Sequence, residues 1–357
     1  MPENYPISVK LTDKKKVKPD QSILGFGKYF TDHMFILDYV EGEGWKDARI
    51  VPNEPFLIDP AAMVFHYGQA VFEGLKAYNA EGSKILLFRP DMNFARLNHS
   101  DERMCIPQLD EEFVIHALKE LIKIDSDWIP TEEGTALYIR PFVIATEAAV
   151  GVHPSKSYKF MIILSPVGAY YATGLAPVKI IIEDEFVRAV RGGIGFTKSS
   201  ANYAISLKGQ EKAIEKGYAQ VLWLDGIERK YIEEVGTMNV FFIIDGKVVT
   251  PMLSGSILPG VTRASVIELL KNWNIPVEER KISIDEVFHA HADGKLQEVF
   301  GTGTAAVISP VGEFIMGDKR IEICGGKIGE ISQKLYDTLT DIQYGRVKDE
   351  FNWTVSL

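Results

Sequence analysis

Cysteine is nearly absent. The 357 residues contain two, Cys105 and Cys324, isolated and outside any CxxC spacing. That excludes a disulfide framework and a cysteine zinc site, and it predicts a reducing, cytoplasmic setting. An excess of positive charge is missing too: 39 Lys and Arg stand against 49 Asp and Glu, a net charge of −10. Neither nucleic acid nor an anionic membrane is expected as a partner held by net charge. The most apolar stretch, FMIILSPVGAYYATGLAPVKIII at 160–182, is broken by Pro166, Gly168, Gly174 and Pro177. It reads as two buried strands joined by a loop, not as a membrane helix. The opening MPENYPISVKLTDKKKVKPDQS lacks an apolar core and mixes acids with its basic run, so neither a secretory signal nor a transit peptide is expected there. Internal repeats and low-complexity segments are lacking as well.

What is present suits a globular chain, with 46% hydrophobic and 25% charged residues. The length predicts two domains and a large core. Short β-rich runs alternate with helices. HMFILDYV, KILLFR, ALYIRPFVIAT and YKFMIIL read as strands, and YNAEGSKILLF as a hairpin turning at Glu81-Gly82. RPDMNFARLNHSDERM and DEEFVIHALKELIKI carry apolar residues at helical spacing, the first behind a proline and the second behind an acidic start. Further on, a helix is expected over about 200–216, hairpins at Asp225-Gly226 and Asp245-Gly246, and helices in TRASVIELLKNW and GGKIGEISQKLYDTLTDIQYG. The expected division is a small N-terminal domain at 1–168, a linker or lid at 169–178, and a larger C-terminal domain at 179–357. Both are expected to be mixed α/β (α+β) with largely antiparallel or mixed sheets, since the strict alternation of a doubly wound fold is absent.

Three local patterns carry chemistry. In RGGIGFTKSSANY, Lys198 stands among residues with almost no side chains, with Ser199 or Ser200 as a natural helix cap behind it. A helix N-terminus, small neighbours and burial all disfavour a protonated amine, the condition for Schiff-base chemistry. The plainer alternative is a solvated lysine in a turn. In EEVGTMNVFF, 233–242, a carboxylate enters an apolar strand; it caps a turn, pairs with an arginine or faces a ring nitrogen. In SILPGVTRAS and FGTGTAA, turns rich in glycine and threonine offer backbone N–H groups to an anion, although each could be an ordinary turn. A Schiff-base lysine, a buried acid and a phosphate cradle together describe pyridoxal 5'-phosphate.

FTKSSANY, EEVGTMN, ILPGVTR and FGTGTA stand in the order and spacing of fold-type IV pyridoxal-phosphate enzymes, the D-amino-acid aminotransferase-like fold. With GFGKYFTDHM, FHYGQAVFEGLKAY, LFRPDMNFARL and LYIRPFVIATE, the chain resembles the branched-chain amino-acid aminotransferases from about residue 22 to 346. The resemblance implies transamination between L-leucine, L-isoleucine or L-valine and 2-oxoglutarate, by ping-pong kinetics, in a homodimer. It implies that Lys198 holds the cofactor and moves the proton, that Tyr203 meets its phenolic oxygen, and that Glu234 pairs with its ring nitrogen. Arg96, Val261, Thr262 and Thr304 are then expected at the phosphate, and Thr237 with the backbone of Ala305 at the substrate α-carboxylate. Phe30, Tyr67, Phe72 and Tyr170 match aromatic pocket positions, although the phenylalanines could equally be core. Tyr138 and Arg140, alternate residues of one strand and so on one face, match the polar end of that pocket. A buried arginine there calls for an anionic partner.

One departure concerns Ala306 and Ser309, which stand where some relatives of this family carry a CxxC pair, so no thiol switch is expected from that source. His289 and His291 lack convergent ligands, and no metal is expected. Two other readings stay in view: a D-amino-acid aminotransferase or aminodeoxychorismate lyase on the same fold, and a non-catalytic cofactor-binding protein. The FHYGQAVFEGLKAY motif with Tyr138 and Arg140 favours the branched-chain enzyme over the first. The joint presence of Lys198, Tyr203 and Glu234 speaks against the second.

Overall fold

The structure, a computed structural model, describes residues 6–80, 82, 84–168 and 175–357. The chain divides into two compact units. The first comprises residues 1–170, 197–201 and 341–357, and the second residues 171–196 and 202–340. Much of the 169–178 segment, including Tyr170, and Glu81 of the expected hairpin turn lie outside the described residues.

The strands of the first unit are β1 (Ser8–Val9), β2 (His33–Val40), β3 (Gly44–Pro52), β4 (Ala70–Phe72), β5 (Leu75–Ala80), β6 (Lys84–Phe88), β7 (Ala136–Ala145) and β8 (Ser157–Val167), with a C-terminal strand Thr354–Ser356. They form one sheet in the order β1-β3-β2-β8-β7-β5-β6-C-terminal strand, and β4 pairs with β7 off that path. Among the described strands of this sheet, only the β1–β3 pairing is parallel. Helices α1 (Met63–Tyr67), α2 (Pro90–Arg103) and α3 (Glu111–Ile124) belong to this unit. The local reasons are those legible in sequence. Pro90 opens α2, and the Asp110 side chain caps α3 by accepting from the Phe113 amide at 3.0 Å. Val114, Ala117, Leu118, Leu121 and Ile122 of α3 form one buried stripe facing the core around Phe35, Phe94, Leu137 and Phe160. Each such Leu or Ile contributes about 1.5–3 kcal/mol by burial.

The second unit contains β9 (Val178–Ile182), β10 (Gln220–Leu224), β11 (Ile232–Val235), β12 (Asn239–Ile244), β13 (Lys247–Pro251), β14 (Val277–Arg280), β15 (Leu296–Gly303), β16 (Val307–Met316) and β17 (Lys319–Glu322). Their order is β11-β10-β9-β16-β15-β12-β13-β14, with β17 on β16. The sheet is mixed: β9 pairs parallel with β10 and β16, and β13 with β14. Asp245 and Gly246, at φ +52° and +74°, form the two-residue turn between β12 and β13 that their sequence predicts. The hairpin expected at Asp225-Gly226 takes another form. There the connection runs from 225 to 231, because the Asp225 carboxylate gathers the amides of Ile227, Glu228, Lys230 and Tyr231 and builds a wider loop.

The helix expected over 200–216 is two: α4 (Ser200–Ala204) and α5 (Leu207–Glu215). The Ser206 hydroxyl donates to the Tyr203 carbonyl at 2.8 Å and breaks the run. Helices α6 (Val261–Asn272) and α8 (Glu330–Gln343) follow as expected, and α7 (Ile284–Ala292), capped by the Ser283 side chain, lies between them. No helix of the described residues is long and apolar enough to cross a membrane.

Candidate active site

In the first unit, the Lys198 segment is stitched to the sheet like a short extra strand. The Phe72 amide donates to the Lys198 carbonyl at 3.0 Å, Val71 bridges Ser199, and the Lys198 amide donates to Ser100 Oγ of α2 at 3.0 Å. This places Lys198 Nζ 4.9 Å from the centre of the Phe72 ring. Arg140 of β7 also stands over that ring, its Cζ 4.7 Å from the centre, and its Nη2 donates to the Tyr138 hydroxyl at 2.9 Å. Tyr138 and Arg140 therefore do share a face. Phe26 packs edge-on against Tyr138, with ring centres 4.9 Å apart. Gly74 makes room for the phenol: a Cβ there would stand 2.1 Å from the Tyr138 hydroxyl.

Beside this group, Arg96 grips the buried Glu73 with a fork, Nε to Oε1 at 2.7 Å and Nη2 to Oε2 at 2.9 Å. Asn93 Nδ2 and the Gly74 amide add bonds to Oε2 at 2.8 and 3.1 Å. Burial pushes the Glu73 carboxyl up, but Arg96, Lys198 and Asn93 together bring it below the ordinary glutamate value.

In the second unit, Glu234 of β11 is buried and does pair with an arginine, Arg188 Nη2 to Oε1 at 3.0 Å. The Leu258 amide donates to the same oxygen at 2.8 Å. Asn239 holds that loop, its Nδ2 donating to the Leu258 carbonyl at 2.9 Å. Just beyond Leu258, α6 begins at Val261 behind Gly260, with no side chain capping its N-terminus. Val261 and Thr262 thus stand at the positive end of a twelve-residue helix, and Glu234 is tied to the loop that leads into it. Thr237 lies in the turn where Val235 bridges Met238, between β11 and β12. Gly301 of β15 packs on that turn, where a Cβ would meet Met238 Cε at 2.9 Å. Thr304 and Ala305 form the turn between β15 and β16, and Tyr203 lies in α4.

The expected cap of α4, the dipole at Lys198 and the anionic partner of Arg140 need correction. The Ser199 hydroxyl is buried without a hydrogen-bond partner, so it does not cap α4. With five residues, α4 is too short for the macrodipole first invoked at Lys198. Arg140 has no anionic partner among the described residues; two aromatic faces and a phenol take its charge, and its buried Nε makes no hydrogen bond. Phe30 and Tyr67 are partly exposed, and the Tyr67 hydroxyl donates to the Val150 carbonyl rather than joining the Phe72 group. Tyr170 lies outside the described residues. On α7, His291 Nε2 is 3.0 Å from the Glu322 carbonyl, and no group of three or more His, Cys, Asp and Glu among the described residues could hold a metal. Glu73, Phe26, Gly74, Ser100 and Arg188 went unassigned in the sequence. Glu73 and Gly74 stand beside Phe72 in FHYGQAVFEGLKAY and Phe26 stands in GFGKYFTDHM, which were the available signals; Ser100 and Arg188 reach the site by tertiary contact alone.

A class of protein is defined at this point. The Amino-transferase class IV family model matches residues 70–314, and the chain belongs to that family. It is similar over nearly its whole length to two Bacillus subtilis (strain 168) proteins. It is 63% identical to the branched-chain-amino-acid aminotransferase 2, covering 98% of this chain and 97% of the relative. It is 62% identical to the branched-chain-amino-acid transaminase 1, covering 96% of each. Among solved structures, the Escherichia coli branched-chain amino acid aminotransferase aligns with a TM-score of 0.76 at 27% identity, over 90% of this chain and 98% of that one. The Thermobaculum terrenum enzyme, solved in its PLP form, shares the fold at a TM-score of 0.74 and 23% identity, over 90% and 97% of the two chains.

Proposed function

We propose that this protein is a pyridoxal-phosphate-dependent branched-chain-amino-acid aminotransferase, exchanging the amino group of L-leucine, L-isoleucine or L-valine with 2-oxoglutarate. The observation that carries this reading is the grouping of Lys198, Phe72, Arg140 and Tyr138 on one sheet. An amine and a guanidinium share one phenyl ring there, as an enzyme needs that attaches a flat cofactor at one point and receives a substrate acid at another. The donor chemistry of the second unit fits the cofactor: an uncapped helix N-terminus suits a phosphate, and the buried Glu234 suits a protonated ring nitrogen. When bound, the cofactor supplies the electron sink that lets the substrate Cα–H bond break.

The chain's own residues then divide the work. Lys198 would hold the cofactor through its amine and, when that amine is free, would carry the proton from the substrate Cα. Glu234 holds the ring nitrogen's proton, Tyr203 bonds the phenolic oxygen, and Arg96, Val261, Thr262 and Thr304 hold the phosphate. Arg96 takes this role with its fork already oriented by Glu73. Thr237 and the Ala305 backbone receive the α-carboxylate. Phe30, Tyr67, Phe72 and Tyr170 would line the side-chain pocket, while Tyr138 and Arg140 would meet the distal carboxylate of glutamate. The buried Nε of Arg140 supports that last assignment, since it lacks an acceptor that the substrate acid can provide.

A homodimer in the cytoplasm completes the reading. Phe56, Leu57, Phe65, Val150 and Val152 are exposed around α1 and the segment that Ala149 ties to it, an apolar surface suited to a second copy. Both cysteines are free, which suits a reducing compartment. Sedimentation of the purified protein tests the dimer. Absorbance tests the chemistry: L-leucine should bleach the long-wavelength cofactor band and 2-oxoglutarate should restore it. A band that answers to D-alanine and not to L-leucine would sink the branched-chain assignment.

A further inference from the structure

β11 carries two consecutive acids, and the second, Glu234, is the residue assigned above to the ring nitrogen. The first, Glu233, sits at a β-bulge: Trp223 of β10 pairs with Glu234 and Leu224 with Ile232, so Glu233 is the extra residue with no opposite. A bulge re-aims a side chain, and such bulges gather next to active sites. Glu233 is 5% exposed. Its Oε1 accepts from the Ser256 hydroxyl, while its buried Oε2 has no hydrogen-bond partner. Ser256 in turn gives its backbone carbonyl to Arg188 Nη2, and the same nitrogen holds Glu234. A continuous path therefore runs from Glu233 through Ser256 and Arg188 to Glu234, entirely within the second unit.

We propose that Glu233 is a positioning residue for Glu234: through Ser256 and Arg188 it sets how much negative charge Glu234 presents to the cofactor's ring nitrogen. The proposal rests on the assignment of Glu234 to that nitrogen. One guanidinium faces two carboxyls. When Glu233 is ionised, the positive charge of Arg188 is shared and Glu234 holds a proton on the ring nitrogen more firmly; when Glu233 is protonated, Arg188 neutralises Glu234 more fully and the hold loosens. Burial pushes the Glu233 carboxyl up, Ser256 and Arg188 pull it down, and Glu234 and Asp225 push it up again, leaving it at about 7. A cavity of about 120 Å³ adjoins it, lined by Glu233 and also by Arg191, Glu228, Tyr231, Ser254 and Lys281. Arg191, Asp225, Lys281 and Glu228 are the other charged residues of that lining.

The test uses holoenzyme carrying pyridoxal phosphate isotope-labelled at the ring nitrogen, whose chemical shift is followed from about pH 5 to about pH 9. In the native protein the shift should inflect near pH 7, as Glu233 ionises. In Glu233→Gln that inflection should vanish, and the ring nitrogen should bind its proton about tenfold more weakly above it. Ser256→Ala keeps the carboxyl but removes a bond to its ionised form, so the inflection should move to higher pH. A Glu233→Gln holoenzyme that titrates like the native protein overturns the proposal. Native protein that retains no cofactor on desalting overturns instead the assignment on which it rests.

Discussion

Each unit buries an arginine against a glutamate, and the two pairs are finished differently. In the first unit both oxygens of Glu73 are bonded, by Arg96, Asn93 and the Gly74 amide. In the second, Arg188 faces two acids, its own Nε has no hydrogen-bond partner, and Glu233 Oε2 has none either. The first carboxyl is driven below its ordinary range and the adjacent acid of the second is driven above it. A saturated pair fixes geometry, since every departure leaves a buried group unpaired. An unsaturated one can change its charge without dismantling the fold around it. The first pair suits a scaffold beneath Lys198 and the second an adjustable electrostatic partner for a ring.

The strongest way to break this division of labour is at Lys198, which the saturated side is argued to support. Lys198→Ala should lower turnover on the order of 10⁴-fold or more while the native fold persists, as read by steady-state assay and circular dichroism. Full turnover in that variant would end the whole functional reading. Next comes the saturated pair itself. Glu73→Gln leaves Arg96 uncompensated in a buried place and should cost about 3–5 kcal/mol in urea unfolding, whereas Glu233→Gln should leave stability unchanged or raise it at neutral pH, because it removes a carboxylate whose ionised form burial disfavours. Equal losses would erase the contrast.

Arg140→Met tests whether an aromatic-held cation serves the substrate acid. The rate with 2-oxoglutarate should fall about 100-fold, and that with L-leucine by only a few-fold, in separated half-reactions. The smallest effect is the pH dependence of stability. Glu233 is raised from 4.5 to about 7 in the folded protein. Between those values the unfolded chain has released a proton that the folded one keeps, so stability falls as pH rises through the window. Glu233→Gln should flatten that slope, seen as a difference in unfolding midpoints that grows from acid towards neutral pH. Glu73, lowered in the fold, acts in the opposite sense: its contribution is present above the ordinary value and is lost as pH falls through its folded one.

Elements governed by local chemistry were legible in the residues. Pro90 and Asp110 mark helix starts, and Asp245-Gly246 marks a two-residue turn. Asp225-Gly226 carries the same dipeptide but was misread, because the amides its carboxylate gathers lie up to six residues away. The single helix expected after Lys198 failed for a similar reason, a serine hydroxyl competing for a backbone carbonyl. The motifs pointed to Lys198, Arg140 and Glu234, but not to what surrounds them. Ser100 meets the Lys198 amide from 98 positions away, and Arg188 reaches Glu234 from a loop that precedes α4, α5 and β10 and has no pattern of its own. The bulge at Glu233 depends on strand register, which two adjacent glutamates do not announce.

The five residues around Lys198 group with the first unit, while the segments on either side of them group with the second. A gene cut near codon 170 would therefore leave the N-terminal half without its lysine and without the C-terminal strand that finishes its sheet. Neither half is a portable cassette. Recombination could not exchange one unit for a cousin's by a single crossover, because the first unit is assembled from three separate stretches of the chain.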